Sequence, residues 1–150
     1  MVKVCCKKGE IMIFIDSREK ENLHIRSYFD EVGQLYSPPV ALKYGDYATE
    51  RTSPKLVIER KKSWLELSGN LGKHHERFRN ELLRARDCEA RVIVLVEETT
   101  PIWEWKSKRT KMTGCQMKKI MDTMSAKYPV EWVQCEPYES GEKIIEILGE

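Results

Sequence analysis

Three short apolar runs interrupt an otherwise charged chain: residues 11–15 (I-M-I-F-I), 56–58 (L-V-I) and 92–96 (V-I-V-L-V). Continuous apolar runs of this length, bounded by polar residues, predict strands buried on both faces. The first of them is expected at the centre of a sheet. Elsewhere the apolar positions recur every three or four residues, the period of helices that pack by one face. Residues 21–31 predict a helix with Leu23, Ile25, Tyr28 and Phe29 inward and Gly33 closing it. Residues 73–86 predict a longer helix with Phe78, Leu82, Leu83 and Ala85 inward. Two more are expected at 115–127 and 141–148, the last burying Ile144, Ile145 and Leu148. Ser63 with Glu66 three residues on reads as a capping box opening a short helix that ends near Gly69. Further strands are expected at 34–43, 47–49 and 130–135, with an extra one at 2–6. Pro38 and Pro39 place the first of these at an edge or a bulge. Residues 99–114 read as a polar loop whose Trp103 and Trp105 either anchor it to the core or stack on bases. From residue 11 the order is β-α-β-β-β-α-α-β-α-β-α, an α/β sandwich with a mixed sheet in one domain.

Composition narrows the picture. A chain of 150 residues, 41% hydrophobic, suits one globular domain with a real core. No apolar run approaches the roughly 20 residues of a membrane span, and the opening residues lack the apolar centre of a signal peptide. A soluble, intracellular protein with no membrane partner is expected. The cysteines (Cys5, Cys6, Cys88, Cys115, Cys135) are odd in number and form no C-x-x-C pair, which argues against a disulfide framework and a zinc ribbon. Reduced, mostly buried thiols are expected. Net charge is only +2, but cations cluster in 73–86 and in the W-K-S-K-R-T-K of 105–111. Such patches fit a phosphate backbone, and equally a solvated helix face or loop. His74 and His75 would point about 100° apart on a helix and so do not suggest a shared metal.

The chemistry concentrates between Tyr44 and Leu67. After Leu56, Val57 and Ile58 the strand continues into Glu59, Arg60 and Lys61. Alternation puts Glu59 and Lys61 on one face and Arg60 on the other. Charges at the end of a buried strand are costly without a task. Upstream, Gly45 and Asp46 bring a second carboxylate into a turn. An Asp followed by Glu-x-Lys on one strand is what a metal-dependent phosphodiesterase needs: carboxylates for a hard cation, and a lysine for phosphate charge or the attacking water. The same tripeptide also fits a strand ending in a surface ion pair. Asp16, Ser17, Arg18 and Glu19 follow the first apolar run, either as a second charged strand end or as the cap of the next helix. No G-x-G-x-x-G or Walker pattern occurs, so no nucleotide cofactor is expected.

These motifs resemble the nuclease domain of the XPF family of structure-specific endonucleases, a branch of the restriction-endonuclease-like PD-(D/E)xK fold. The family pattern is G-D, a gap, then E-R-K-x-x-x-D; here Gly45-Asp46 is followed, after twelve residues, by Glu59-Arg60-Lys61. The family's D-x-R-E is matched by Asp16-Ser17-Arg18-Glu19, and the R-F of a later basic helix by Arg77-Phe78. The match covers about 11–148. L-S-G-N-L followed by E-R-F is similar to a branch common in phages and their bacterial hosts, which implies a cytoplasmic location there. The family's final Asp falls at Leu65, and Glu66 stands one place later as a helix-start residue. No room remains for the tandem helix-hairpin-helix domain that often follows in the family.

The resemblance implies a three-layer sandwich with a central mixed sheet, spanning the chain as a single nuclease domain. It also implies hydrolysis of DNA phosphodiester bonds at branched, flapped or distorted DNA. Asp46 and Glu59 would hold Mg²⁺ or Mn²⁺, and Asp16 and Glu19 would complete the acidic cluster, Asp16 as a further ligand. Lys61 would orient water or offset charge on the scissile phosphate. Arg18, Arg60 and Arg77 would position phosphates or brace the site, with Lys73, Lys108 and Arg109 along the DNA. A homodimer is expected, because Trp132, Ile144, Ile145 and Leu148 exceed what one terminal helix needs. The alternative is a DNA-binding or dimerisation module that keeps the fold without the chemistry.

Overall fold

The computed structural model describes residues 11–149; the strand expected at 2–6, with Cys5 and Cys6, lies outside them. One mixed sheet runs in the order β1 (Phe14–Ile15), β2 (Tyr47–Ala48), β3 (Leu56–Lys61), β4 (Arg91–Val96), β5 (Val130–Gln134). β1, β2 and β3 pair antiparallel, and β3, β4 and β5 pair parallel. The helices are α1 (Leu23–Val32), α2 (Trp64–Leu71), α3 (His75–Asp87), α4 (Gly114–Lys127) and α5 (Ser140–Leu148).

Alternation along β4 builds the layers. Val92, Val94 and Val96 enter a core with Val57, Trp64 and Leu67, Phe78 and Leu82, and Met117 and Met121, which places α2, α3 and α4 on that face. Ile93 and Leu95 enter a second core with Ile58, Ile25 and Phe29, and Ile144 and Leu148, which places α1 and α5 on the other. Each fully buried aliphatic or aromatic side chain of this kind contributes roughly 1.5–3 kcal/mol. The expected three-layer sandwich is therefore present. Among the described residues no helix is long and apolar enough to cross a membrane.

Several expectations are corrected. Residues 11–15 do not supply the central strand. β1 lies at one end of the sheet order, Ile11 and Met12 are exposed, and the centre is β3. Both faces of β1 are covered all the same, Ile13 and Ile15 by the second core and Phe14 by the first. A continuous apolar run reports that cover and not the place in the sheet. Residues 34–43 form no strand, only single bridges from Tyr36 to Ile13 and from Val40 to Asp16. Pro38 and Pro39 between them have no N–H to give a ladder. Leu23, expected inward, is 65% exposed at the first position of α1, and Leu83 and Ile145 are half-buried. Lys73 and His74 precede α3 instead of belonging to it. Of the described cysteines only Cys135 is buried; Cys88 is half-buried and Cys115 exposed, all as free thiols.

Candidate active site

β3 does most of the positioning. Val57 faces the core beneath α2 and α3, so Glu59 and Lys61, two and four residues on, emerge on that same side. Tyr47 pairs with Ile58, which sets Asp46 alongside Glu59. The Asp46 N–H donates to Ile58 O at 2.7 Å, and the Arg60 N–H donates back to Asp46 Oδ2 at 2.8 Å. Gly45 is required where it stands. Its φ is +81°, and a Cβ there would lie 2.6 Å from Val57 Cβ. Its N–H donates to Glu81 Oε2 of α3 at 2.9 Å.

The result is a cleft of about 260 Å³ lined by Asp16, Asp46, Glu59, Lys61, Arg77 and Glu81, among others. Lys61 Nζ lies 3.2 Å from Glu59 Oε2. The Asp46 carboxyl is pushed up to about 8, by burial first and by the charge of Glu19 next, with the Arg60 N–H and Lys61 opposing. Glu59 is pushed well above the ordinary carboxylate range by burial, then by the charges of Asp46 and Glu81, with Lys61 opposing. Burial works against the charge of Lys61, but Glu59 and Asp46 outweigh it and raise its pKa, so the ammonium persists.

Asp16 lines the cleft but has its oxygens occupied. It accepts from the Arg18 backbone and guanidinium and from the Leu42 N–H at 2.8 Å. Burial tends to raise its pKa, and Arg18 with the two backbone groups brings it below the ordinary value. Glu19 does not line the cleft. It sits behind β3, where it accepts from Arg60 Nε at 2.6 Å and from the Tyr47 hydroxyl at 2.5 Å. Arg60 points the same way, as the alternation requires. Arg18 and Arg77 line the cleft; Lys73 is exposed just before α3, and Lys108 and Arg109 are exposed in the loop before α4, outside the cleft. Glu66 serves the start of α2: its N–H donates to Ser63 Oγ and its carboxylate accepts from the Lys62 N–H.

Glu81 and Arg84 of α3 also line the cleft and are not among the site residues expected from the sequence. Arg77, Glu81 and Arg84 follow i, i+4, i+7 on α3, a charged stripe beside the inward Phe78, Leu82 and Ala85. That spacing was the available signal.

Among the described residues no three His, Cys, Asp or Glu side chains converge into a ready-made metal cage. The donor set nonetheless fits a hard cation. It is all carboxylate oxygen, its members raise one another's pKa, and Mg²⁺ is commonly held by only one or two carboxylates plus waters and substrate phosphates.

Comparison with known proteins bears on this arrangement. The ERCC4 domain family model matches residues 15–145. Among solved structures, XPF from Aeropyrum pernix is similar over 92% of this chain and 60% of that one, with 18% identity and a TM-score of 0.63. This chain thus spans 60% of the length of that structure. No curated protein matches.

Proposed function

The chain belongs to the ERCC4 domain family, and from that premise we propose that it is a divalent-metal-dependent DNA endonuclease acting at branched, flapped or otherwise distorted DNA. The observation that carries the reading is the meeting of Asp46, Glu59 and Lys61 in one cleft beside Glu81. Two half-buried, mutually repelling carboxylates next to a buried ammonium are expensive for the fold and suited to phosphodiester hydrolysis.

In this reading Asp46 and Glu59 would hold Mg²⁺ or Mn²⁺, with Asp16 and Glu81 at its margin. A bound cation of this kind supplies Lewis acidity toward the phosphate and a more acidic water. Lys61 keeps its charge toward the scissile phosphate and orients water. Arg77 and Arg18, at the cleft wall, suit forked contacts to phosphate oxygens. Met112 packs beside Gly72, so the end of the basic loop meets the chain just before Lys73. Lys73, Lys108 and Arg109 would then lie along the DNA backbone outside the cleft.

A homodimer belongs to the same reading, although the fold already uses much of the apolar surface that suggested it. Ile144 is fully buried, and Trp132 packs on Phe78 at 6.5 Å between ring centres. What remains near α5 is an exposed Tyr138, half-buried Ile145 and Ile147, and the outer edge of β5. Light scattering at tens of micromolar should give the dimer mass; a monomer there contradicts this part.

The deciding experiment is incubation with labelled flap, fork and plain duplex DNA, with Mg²⁺ or Mn²⁺ and with chelator. Cleavage of the branched substrates in metal alone is expected. Binding without cleavage would favour a non-catalytic DNA-binding module instead.

A further inference from the structure

Behind β3, on the face turned from the cleft, a group of buried side chains is left unused by the chemistry above. The Arg60 guanidinium is ion-paired through Nε with Glu19 Oε2 at 2.6 Å and through Nη1 with Glu97 Oε1 at 2.8 Å. Its Nη2 donates to Lys20 O at 2.7 Å. Glu97, the residue after β4, is only 6% exposed. Its other oxygen meets His24 Nε2 at 2.8 Å and accepts from the Ser140 hydroxyl at 2.5 Å. The Glu97 N–H donates to Lys61 O at 2.9 Å. One residue therefore holds two consecutive residues of β3, Arg60 by its side chain and Lys61 by its backbone. Those two residues complete the cleft from the strand side. The Arg60 N–H holds Asp46 Oδ2 at 2.8 Å, and the Lys61 ammonium pairs with Glu59 at 3.2 Å.

We propose that Glu97 is a positioning residue for the cleft: from behind β3 it fixes Arg60 and Lys61, and through them the placement of Asp46 and Glu59, without itself touching DNA or metal. This rests on the nuclease reading. The physical reason is the cost of an unpaired buried charge. If Glu97 loses its negative charge, the guanidinium keeps Glu19 as its one counter-charge, and the end of β3 relaxes to rehydrate it. A displacement of about 1 Å in a reacting group costs about 100-fold in rate. Loss of a group that orients a metal ligand costs about 10–100-fold in metal affinity.

The test uses Glu97→Gln, which keeps the shape and an acceptor but not the charge, and Glu97→Asp, which keeps the charge. In Glu97→Gln, folded at the assay temperature, kcat should fall about 10–100-fold while KM for DNA stays near wild type. Mn²⁺ titration of the protein without DNA should show affinity about tenfold weaker. Hydrogen exchange of the Arg60 amide should accelerate, while the amides of Ile93 and Leu95 stay protected. Glu97→Asp should recover part of kcat. Wild-type kcat in Glu97→Gln overturns the proposal, as does a lower kcat with Arg60 exchange and Mn²⁺ affinity unchanged. If Glu97→Gln does not fold, Ser140→Ala, which removes one support of Glu97, should still lower kcat at constant KM, and wild-type kcat there overturns the proposal. A wild-type protein that cuts no DNA sinks the nuclease reading, and the exchange measurement still decides whether Glu97 holds β3.

Discussion

Asp46 is held where ionisation works against the fold. Its ordinary value is 3.8, and burial, followed by the charge of Glu19, pushes it up to about 8. Between these values the folded protein keeps a proton that the unfolded chain has released, so this group makes metal-free stability fall as pH rises from about 4 to about 8. Asp46→Asn removes the titration, and its amide oxygen can still accept the Arg60 N–H. In chelator the variant should melt above wild type at pH 8, by about 2–4 °C per kcal/mol recovered, and by less at pH 5. A melting difference independent of pH would refute this account, and cleavage by the variant should be absent. Lys61 gives a complementary test. Lys61→Met should also abolish cleavage, yet bind Mn²⁺ in the absence of DNA as tightly as wild type or more so, because an ammonium is not a ligand and repels the cation. If both variants cut flapped DNA at the wild-type rate, these residues are not the catalytic ones.

At the scale of elements, what was legible followed from periodicity. Alternation on β3 sends Glu59 and Lys61 to the cleft and Arg60 behind it, and alternation on β4 divides its side chains between the two cores. Periodicity says nothing of which strand is central, so the run at 11–15 reads as a central strand although β1 lies at one end of the sheet order. It also says nothing of which charged residue on a helix finds a buried partner. Glu81 reads as solvated until the Gly45 N–H is brought to it from another part of the chain. Glu19 reads as part of an acidic cluster until Arg60, far along the chain, claims its carboxylate. The sequence leaves two roles open for the loop tryptophans, and packing separates them. Trp105 is half-buried against the first core and its carbonyl accepts the Gly114 N–H at 3.1 Å, whereas Trp103 is 69% exposed. Trp105→Ala should therefore cost about 1–3 kcal/mol in chemical denaturation, with Trp103→Ala within about 0.5 kcal/mol of wild type. Equal losses would mean that both side chains anchor the loop.

For the whole molecule, a net charge of +2 over 150 residues gives little long-range attraction to a polyanion. In the proposed function, affinity for DNA would then come from where the cations stand. Among the described residues, most ion pairs lie elsewhere: behind β3, along α4 and α5, and between β4 and β5. Lys73, Arg77, Lys106, Lys108, Arg109 and Lys111 are exposed or half-exposed and take part in none of them. Cations outside ion pairs are free to neutralise phosphates, and each such contact releases counterions condensed on the DNA and makes binding steeply salt-dependent. Contacts of this kind carry no base sequence. Replacing Lys108 and Arg109 together by Ala should weaken binding to flap, fork and duplex alike, and should flatten the slope of log affinity against log salt by up to about 2. The cleft residues are untouched in that variant, so kcat at saturating DNA should hold while KM rises. Measurement of the slope by fluorescence anisotropy on metal-free protein separates this from cleavage altogether. Loss of affinity for one base sequence only, or a slope unchanged from wild type, would show that the loop before α4 does not lie on the phosphate backbone.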